Sequence, residues 1–96
     1  MKVVVKGLGP IRDVVKEPLE LRLSNDATAT VEDVLRMTAE ILGKEFAARV
    51  YDPLSGKLNA SALVLVNGRN IRYMTGLKTR VKDGDRIAIG ALVSGG

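Results

Sequence analysis

The stretch "LVLVNGRNIRYMTGLKTRVKDGDRIAIGALVSGG", Leu63 to Gly96, decides the reading of the fold. With Ala62 before it, it opens on an apolar strand, Ala62 to Val66, that turns at Asn67-Gly68. Both residues of that dipeptide tolerate positive φ, which makes it a strong short-range hairpin signal. A more polar segment follows to Gly76, and Asp83-Gly84-Asp85 marks a second tight turn. Arg86 to Leu92 then reads as a closing strand with Ile87 and Ile89 on one face. Only Val93 and Ser94 separate that strand from Gly95-Gly96.

Upstream, the period changes twice. Lys2 to Lys6 is a short Val-rich run that reads as a buried strand. Gly7 to Pro18 is a loop or hairpin connection, broken by Gly and Pro at both ends. Leu19, Leu21 and Leu23 alternate with Glu20 and Arg22, as in a strand with one wet face, and the two runs are expected to pair antiparallel. Over residues 31–42 Val31, Val34, Leu35, Ile41 and Leu42 recur at helical spacing and should face the core. Thr30 suits the N-cap, Glu32 and Asp33 put negative charge in the first turn, and Gly43 suits the stop. A short second helix is expected before Asp52-Pro53, with Phe46 and Val50 turned inward. One helix amid strands implies an α+β domain with a sheet wrapped on that helix, its first and last strands central.

The 96 residues fit one domain, and with one Phe, two Tyr and no Trp its core must be aliphatic. Cysteine and histidine are both absent, which removes disulfides, thiolate metal sites, cysteine nucleophiles and the usual general base near neutral pH. The opening "MKVVVKGLGP" breaks too early for a secretory signal and no run approaches the ~20 apolar residues of a membrane span, so the cytoplasm is the expected compartment. Residues 1–66 carry nine basic and nine acidic side chains, so the net charge of +4 arises wholly in the last third.

The motifs with a chemical precedent are weak. Gly7-Leu8-Gly9 lacks a third glycine and runs into Pro10, and Gly76-Leu77-Lys78 lacks P-loop spacing. Asp83 and Asp85 have no further acidic ligands nearby in sequence and read as turn residues, so no metal is expected. The basic last third has only Tyr73 (with Tyr51 outside it) for base stacking, which argues against nucleic acid and for an acidic protein partner. Arg69, Arg72 and Arg80 are candidate contacts on that surface.

The tail has a geometry suited to one task. Ala91 to Gly96 extended spans about 20 Å, enough to carry a carboxylate from a rigid strand into another protein's active site. Glycine carries no side chain and takes whatever φ a narrow channel imposes. Gly96 would then present the reacting carboxylate, Gly95 and Ser94 would thread the channel, and Leu92 and Val93 would dock at its mouth. A domain over 1–90 and a flexible tail over 91–96 are expected.

These features together resemble the β-grasp sulfur carriers and ubiquitin-like proteins of the MoaD and ThiS type. The similarity rests on Val66-Asn67-Gly68, Thr79-Arg80-Val81, Asp83-Gly84-Asp85, the strand Arg86 to Leu92 and Gly95-Gly96. It implies a β-grasp with a mixed four- to five-stranded sheet packed on one main helix, its first and last strands parallel. It also implies a carrier without catalytic residues or a bound cofactor. A ubiquitin-activating-type enzyme would use ATP to adenylate Gly96, and a sulfur donor would convert the adenylate to a thiocarboxylate. In the MoaD branch the carrier is the small subunit of molybdopterin synthase and serves molybdenum cofactor biosynthesis with the large subunit. Archaeal small modifier proteins have similar tails, so the resemblance leaves open a modifier joined through Gly96 to lysines.

Overall fold

The computed structural model describes residues 1–24 and 27–92. Strand β1 (Lys2–Gly7) pairs antiparallel with β2 (Leu19–Arg22), and the ladder continues past β2 where the Met1 ammonium and Leu23 amide donate to each other's carbonyls at 2.9 and 2.8 Å. Between them Gly9–Asp13 forms a 3-10 turn, which turns Ile11 inward. A Cβ on Gly7 would lie 2.8 Å from the Ile11 carbonyl oxygen, so only glycine fits where β1 meets this turn.

Helix α1 (Val31–Leu42) starts and stops where the sequence signals it. The Thr30 hydroxyl accepts from the Asp33 amide and the Asp33 carboxylate accepts from the Thr30 amide, a reciprocal cap that satisfies donors the first turn leaves free. Val31, Val34, Leu35, Thr38 and Ala39 are buried; the Thr38 hydroxyl donates to the Val34 carbonyl at 2.7 Å, so its burial leaves no polar group unpaired. Ile41 departs from expectation: it is 56% exposed, while Leu42 beside it packs partly buried against the core. Gly43 ends the helix at φ 84° and leads at once into α2 (Lys44–Arg49), which inserts Phe46 fully into the core beside Val50.

A small hairpin of β3 (Tyr51–Asp52) and β4 (Lys57–Leu58) follows, and the sequence gives no sign of it, since two-residue strands show no periodicity. Asp52 closes its turn by accepting from the Leu54 amide. Tyr51 is buried and its hydroxyl donates to Glu32 Oε2 at 2.7 Å, which ties the hairpin to α1.

Strand β5 (Ala62–Val66) turns at Asn67-Gly68, both at positive φ, into β6 (Arg69–Asn70). Two 3-10 turns, Ile71–Tyr73 and Gly76–Lys78, occupy the polar stretch. The last strand, β7 (Arg86–Ala91), runs parallel to β1 and antiparallel to β5. The sheet order is β2-β1-β7-β5-β6, which bears out the mixed five-stranded sheet with its first and last strands side by side in its interior. Val3, Val5, Ile87, Ile89, Val64 and Val66 meet the buried stripe of α1 in a single aliphatic core, the β-grasp arrangement.

Candidate functional site

Strand β7 is held on both sides from Arg86 to Ile89 and by the β5 side alone beyond that. Gly7 pairs with Ile89, Ala62 with Ala91, the Leu8 amide donates to the Ile89 carbonyl at 2.8 Å, and the Leu92 amide donates to the Ser61 carbonyl at 2.7 Å. Backbone bonding to two neighbours makes this the least extensible element of a small sheet, a rigid stem for whatever follows it.

The head of β7 is clamped by the two turn motifs of the opening stretch. Asn67 Nδ2 donates to Asp85 Oδ1 at 2.9 Å, and Asn67 Oδ1 accepts from the Arg86 amide at 2.9 Å. Asp85, only 9% exposed, takes a second donor from the Lys82 amide at 2.7 Å. Asp83 accepts from the Lys2 amide at 2.7 Å, and the Gly84 amide donates to the Lys2 carbonyl. Asp83 thus holds a backbone amide and Asp85 a backbone amide and the Asn67 side chain, and among the described residues no group of three His, Cys, Asp or Glu could hold a metal ion.

The face of the sheet away from α1 is also apolar. Leu63 pairs with Gly90 and Leu65 with Ala88, and Leu8 packs over Gly90, where an added Cβ would be 3.5 Å from Leu8 Cβ and 3.7 Å from Leu63 Cδ2. Lys6, Leu8, Leu65, Arg86 and Ala88, with the Asn67-Gly68 turn, line a shallow hollow of about 440 Å³ here, towards the head of β7. Leu8, Leu63 and Leu65 were not singled out in the sequence analysis. The signal for Leu63 and Leu65 is that "ALVLV" is apolar at every position, although a strand packed on one helix needs only alternate ones; Leu8, alone between Gly7 and Gly9, has none.

The residues anticipated as contacts fall in different places. Leu92, 41% exposed, and Arg72 come together: Arg72 Nη2 donates to the Ala60 carbonyl at 3.2 Å, next to the Ser61 that holds Leu92. Arg69 pairs with Val66 at the other end of β5, and Arg80 donates to the Ala27 carbonyl and bridges to Thr30 at the head of α1. These three arginines thus lie apart rather than forming one patch. Val93, Ser94, Gly95 and Gly96 lie outside the described residues. Among the described residues no helix is long and apolar enough to cross a membrane.

Comparison with known proteins agrees with this geometry. The ThiS family profile matches residues 5–96. A protein of Archaeoglobus fulgidus described as a sulfur carrier is 36% identical over 67 residues, 70% of this chain and 74% of its own length. Small archaeal modifier protein 3 of Haloferax volcanii is 33% identical over 98 residues, covering both chains fully. The solution structure of small archaeal modifier protein 1 from Methanosarcina acetivorans superposes with a TM-score of 0.77 at 30% identity, over 99% of this chain and 96% of that one. The chain belongs to the ThiS family, whose relatives here are ubiquitin-like sulfur carriers and small archaeal modifiers.

Proposed function

We propose that this ThiS-family chain is a cytoplasmic carrier whose Gly96 carboxylate is adenylated by a ubiquitin-activating-type enzyme and then converted to a thiocarboxylate. The observation that carries the reading is the stem: β7 is hydrogen-bonded to the β1 side as far as Ile89 and to the β5 side as far as Leu92, and it rises from an apolar, cation-rimmed sheet face. The four residues after Leu92 reach about 13–14 Å when extended, enough to cross a partner's rim to a buried ATP site. Gly95 and Ser94 thread that channel, while Leu92 and Arg72 meet its mouth.

The chemistry follows from the weakness of a carboxylate as an acyl donor. Attack of a Gly96 oxygen on the α-phosphorus of ATP expels pyrophosphate and makes AMP the later leaving group. Hydrosulfide released by the sulfur donor then attacks the carbonyl carbon, AMP departs with the bonding pair, and the terminus becomes a thiocarboxylate whose sulfur is a nucleophile. The chain supplies no acid, base or metal to these steps; it is the co-substrate. In this reading the sulfur goes to molybdopterin, with the chain as the small subunit of molybdopterin synthase.

The full-length similarity to a small archaeal modifier favours a second fate, in which a lysine amine attacks the adenylate-derived acyl group and forms an isopeptide bond. Lys2, Lys6, Lys16, Lys44, Lys57, Lys78 and Lys82 are all exposed and could accept further copies. Intact mass of the protein from its native cells, under non-reducing and amine-free conditions, separates the two. A species heavier by the difference between sulfur and oxygen at the terminus supports the carrier. Its absence, with Gly-Gly remnants on lysines of other proteins, overturns that fate in favour of the modifier.

A further inference from the structure

We propose that Asn59, braced by Arg72, is the positioning residue of the tail. It fixes the one carbonyl that holds Leu92 and stops the β-ladder there, so that the chain leaves the sheet at one place and in one direction. The inference rests on the carrier reading, in which that direction decides how readily Gly96 reaches the ATP of an activating enzyme.

The base of the tail hangs on a single flank. The last bond from the β1 side runs from the Leu8 amide to the Ile89 carbonyl, so Gly90 to Leu92 are held by the β5 side alone. Asn67 bonds to Arg86 and Leu92 to Ser61, so by the antiparallel alternation Leu65 with Ala88 and Leu63 with Gly90 are the hydrogen-bonded pairs between them. Ser61 and Leu92 occupy the last such position and make half of it. The Leu92 amide donates to the Ser61 carbonyl at 2.7 Å. The Ser61 amide, which in a regular pair would return a bond to the Leu92 carbonyl, donates instead to Asn59 Oδ1 at 2.8 Å. The ladder between β5 and β7 therefore closes at the Leu92 amide.

Asn59 is exposed, yet each of its four polar atoms has a partner within the chain. Its amide donates to the Val50 carbonyl at 2.7 Å and its Nδ2 to the Ala48 carbonyl at 3.2 Å, which ties it to the end of α2. Its carbonyl accepts from the Ala62 amide at 2.9 Å, and Oδ1 takes the Ser61 amide. Those last two bonds fold residues 59–62 into a tight turn that bends the chain out of the line of β5. From the other side Arg72 Nη2 donates to the Ala60 carbonyl at 3.2 Å, and Arg72 is itself placed by its amide's bond to Asn70 Oδ1, next to the buried Ile71. The Ser61 carbonyl thus belongs to a short exposed link gripped at Asn59 and at Ala60. An asparagine so fully bonded within its own chain holds backbone, and the backbone it holds carries Leu92.

Two substitutions separate positioning from support of the fold. Asn59→Ala and Asn59→Asp both lose the Nδ2 tie to Ala48, but only aspartate keeps an oxygen for the Ser61 amide. Hydrogen exchange of the Leu92 amide in the full chain is read by NMR against the Gly90 amide, one hydrogen-bonded pair away. It should be about fivefold or more faster in Asn59→Ala and within about twofold of the parent in Asn59→Asp. Arg72→Ala should speed it about threefold, and Arg72→Lys, which keeps a donor for the Ala60 carbonyl, should restore it. That second pair carries the test if Asn59→Ala fails to fold. In ATP–pyrophosphate exchange by the activating enzyme, Asn59→Ala should raise the KM for the chain about threefold or more at unchanged kcat, because a loose base must be ordered on binding. Asn59→Asp should bring that KM back. Equal Leu92 exchange in Asn59→Ala and Asn59→Asp overturns the proposal, as does a parental rate in both alanine variants. A faster Leu92 amide with no change in KM overturns it too. Leu92 exchange is measured without the enzyme, so a parent chain that is not adenylated fails the carrier reading and not the brace on Leu92.

Discussion

Replacing Asn67 tests the clamp at the head of β7. Asn67 sits at φ 50°, donates to Asp85 Oδ1 and accepts from the Arg86 amide, both at 2.9 Å. Asn67→Ala removes both bonds, withdraws one donor from a largely buried carboxylate and leaves an ordinary L-residue in the left-handed region. A hydrogen bond to a charged group contributes about 1.5–3 kcal/mol and a neutral one about 1 kcal/mol. The left-handed conformation costs a residue without a compensating polar side chain about 1–2 kcal/mol. The turn is partly wet, so the low end of each range applies, and the expected loss is about 3 kcal/mol. Asn67→Gly loses the same bonds but relieves the backbone, so it should cost about 1 kcal/mol less than alanine. Urea unfolding with linear extrapolation measures both, and a cycle with Asp85→Ala should return a coupling of about 1–2 kcal/mol. An alanine variant that loses less than about 1 kcal/mol, or a glycine variant as unstable as alanine, would refute the clamp as described.

Three further outcomes follow from the same geometry. Deleting Gly95 and Gly96 should abolish ATP–pyrophosphate exchange by the activating enzyme while shifting stability by no more than about 0.5 kcal/mol, read by exchange assay and urea midpoint. Leu65→Glu puts a carboxylate on the half-buried outer face and should weaken docking to that enzyme at least about tenfold, with the fold retained by circular dichroism. Burial and the Glu32 carboxylate both raise the Tyr51 hydroxyl above its usual pKa of 10.0. The stability this gives is complete below the unfolded value and is lost as pH rises through the raised folded one. Alkaline unfolding above about pH 10 should thus be shallower in Tyr51→Phe than in the parent, and equal profiles would contradict the assignment.

Much of the fold is legible where a local rule and the tertiary answer coincide. Thr30 and Gly43 bound α1 because capping groups and positive φ act within four residues, and Asn67-Gly68 sets its hairpin for the same reason. Phe46 and Val50 were read as inward-facing and are fully buried. The hairpin Tyr51–Asp52 with Lys57–Leu58 escaped because its support is not local: Tyr51 is fixed by Glu32, nineteen positions away. Ile41 was misplaced because helical spacing gives a face but not how much of that face the rest of the fold covers.

The candidate site divides along the same line. The glycine pair, the apolar closing strand and the two turn motifs stand in the sequence by themselves, since each is a run of adjacent residues whose chemistry is written in order. They carry the resemblance that implied the β-grasp class and a carrier. Only the tertiary structure joined Asn67 to Asp85, placed Leu8 over Gly90 beside Leu63, and brought Arg72 rather than Arg69 or Arg80 to the base of the tail. The reason is that a one-dimensional pattern fixes which side chains share a face of one strand. Which strands lie next to each other is set by burying α1 against the whole sheet, and that packing puts β1 and β7, far apart in sequence, side by side.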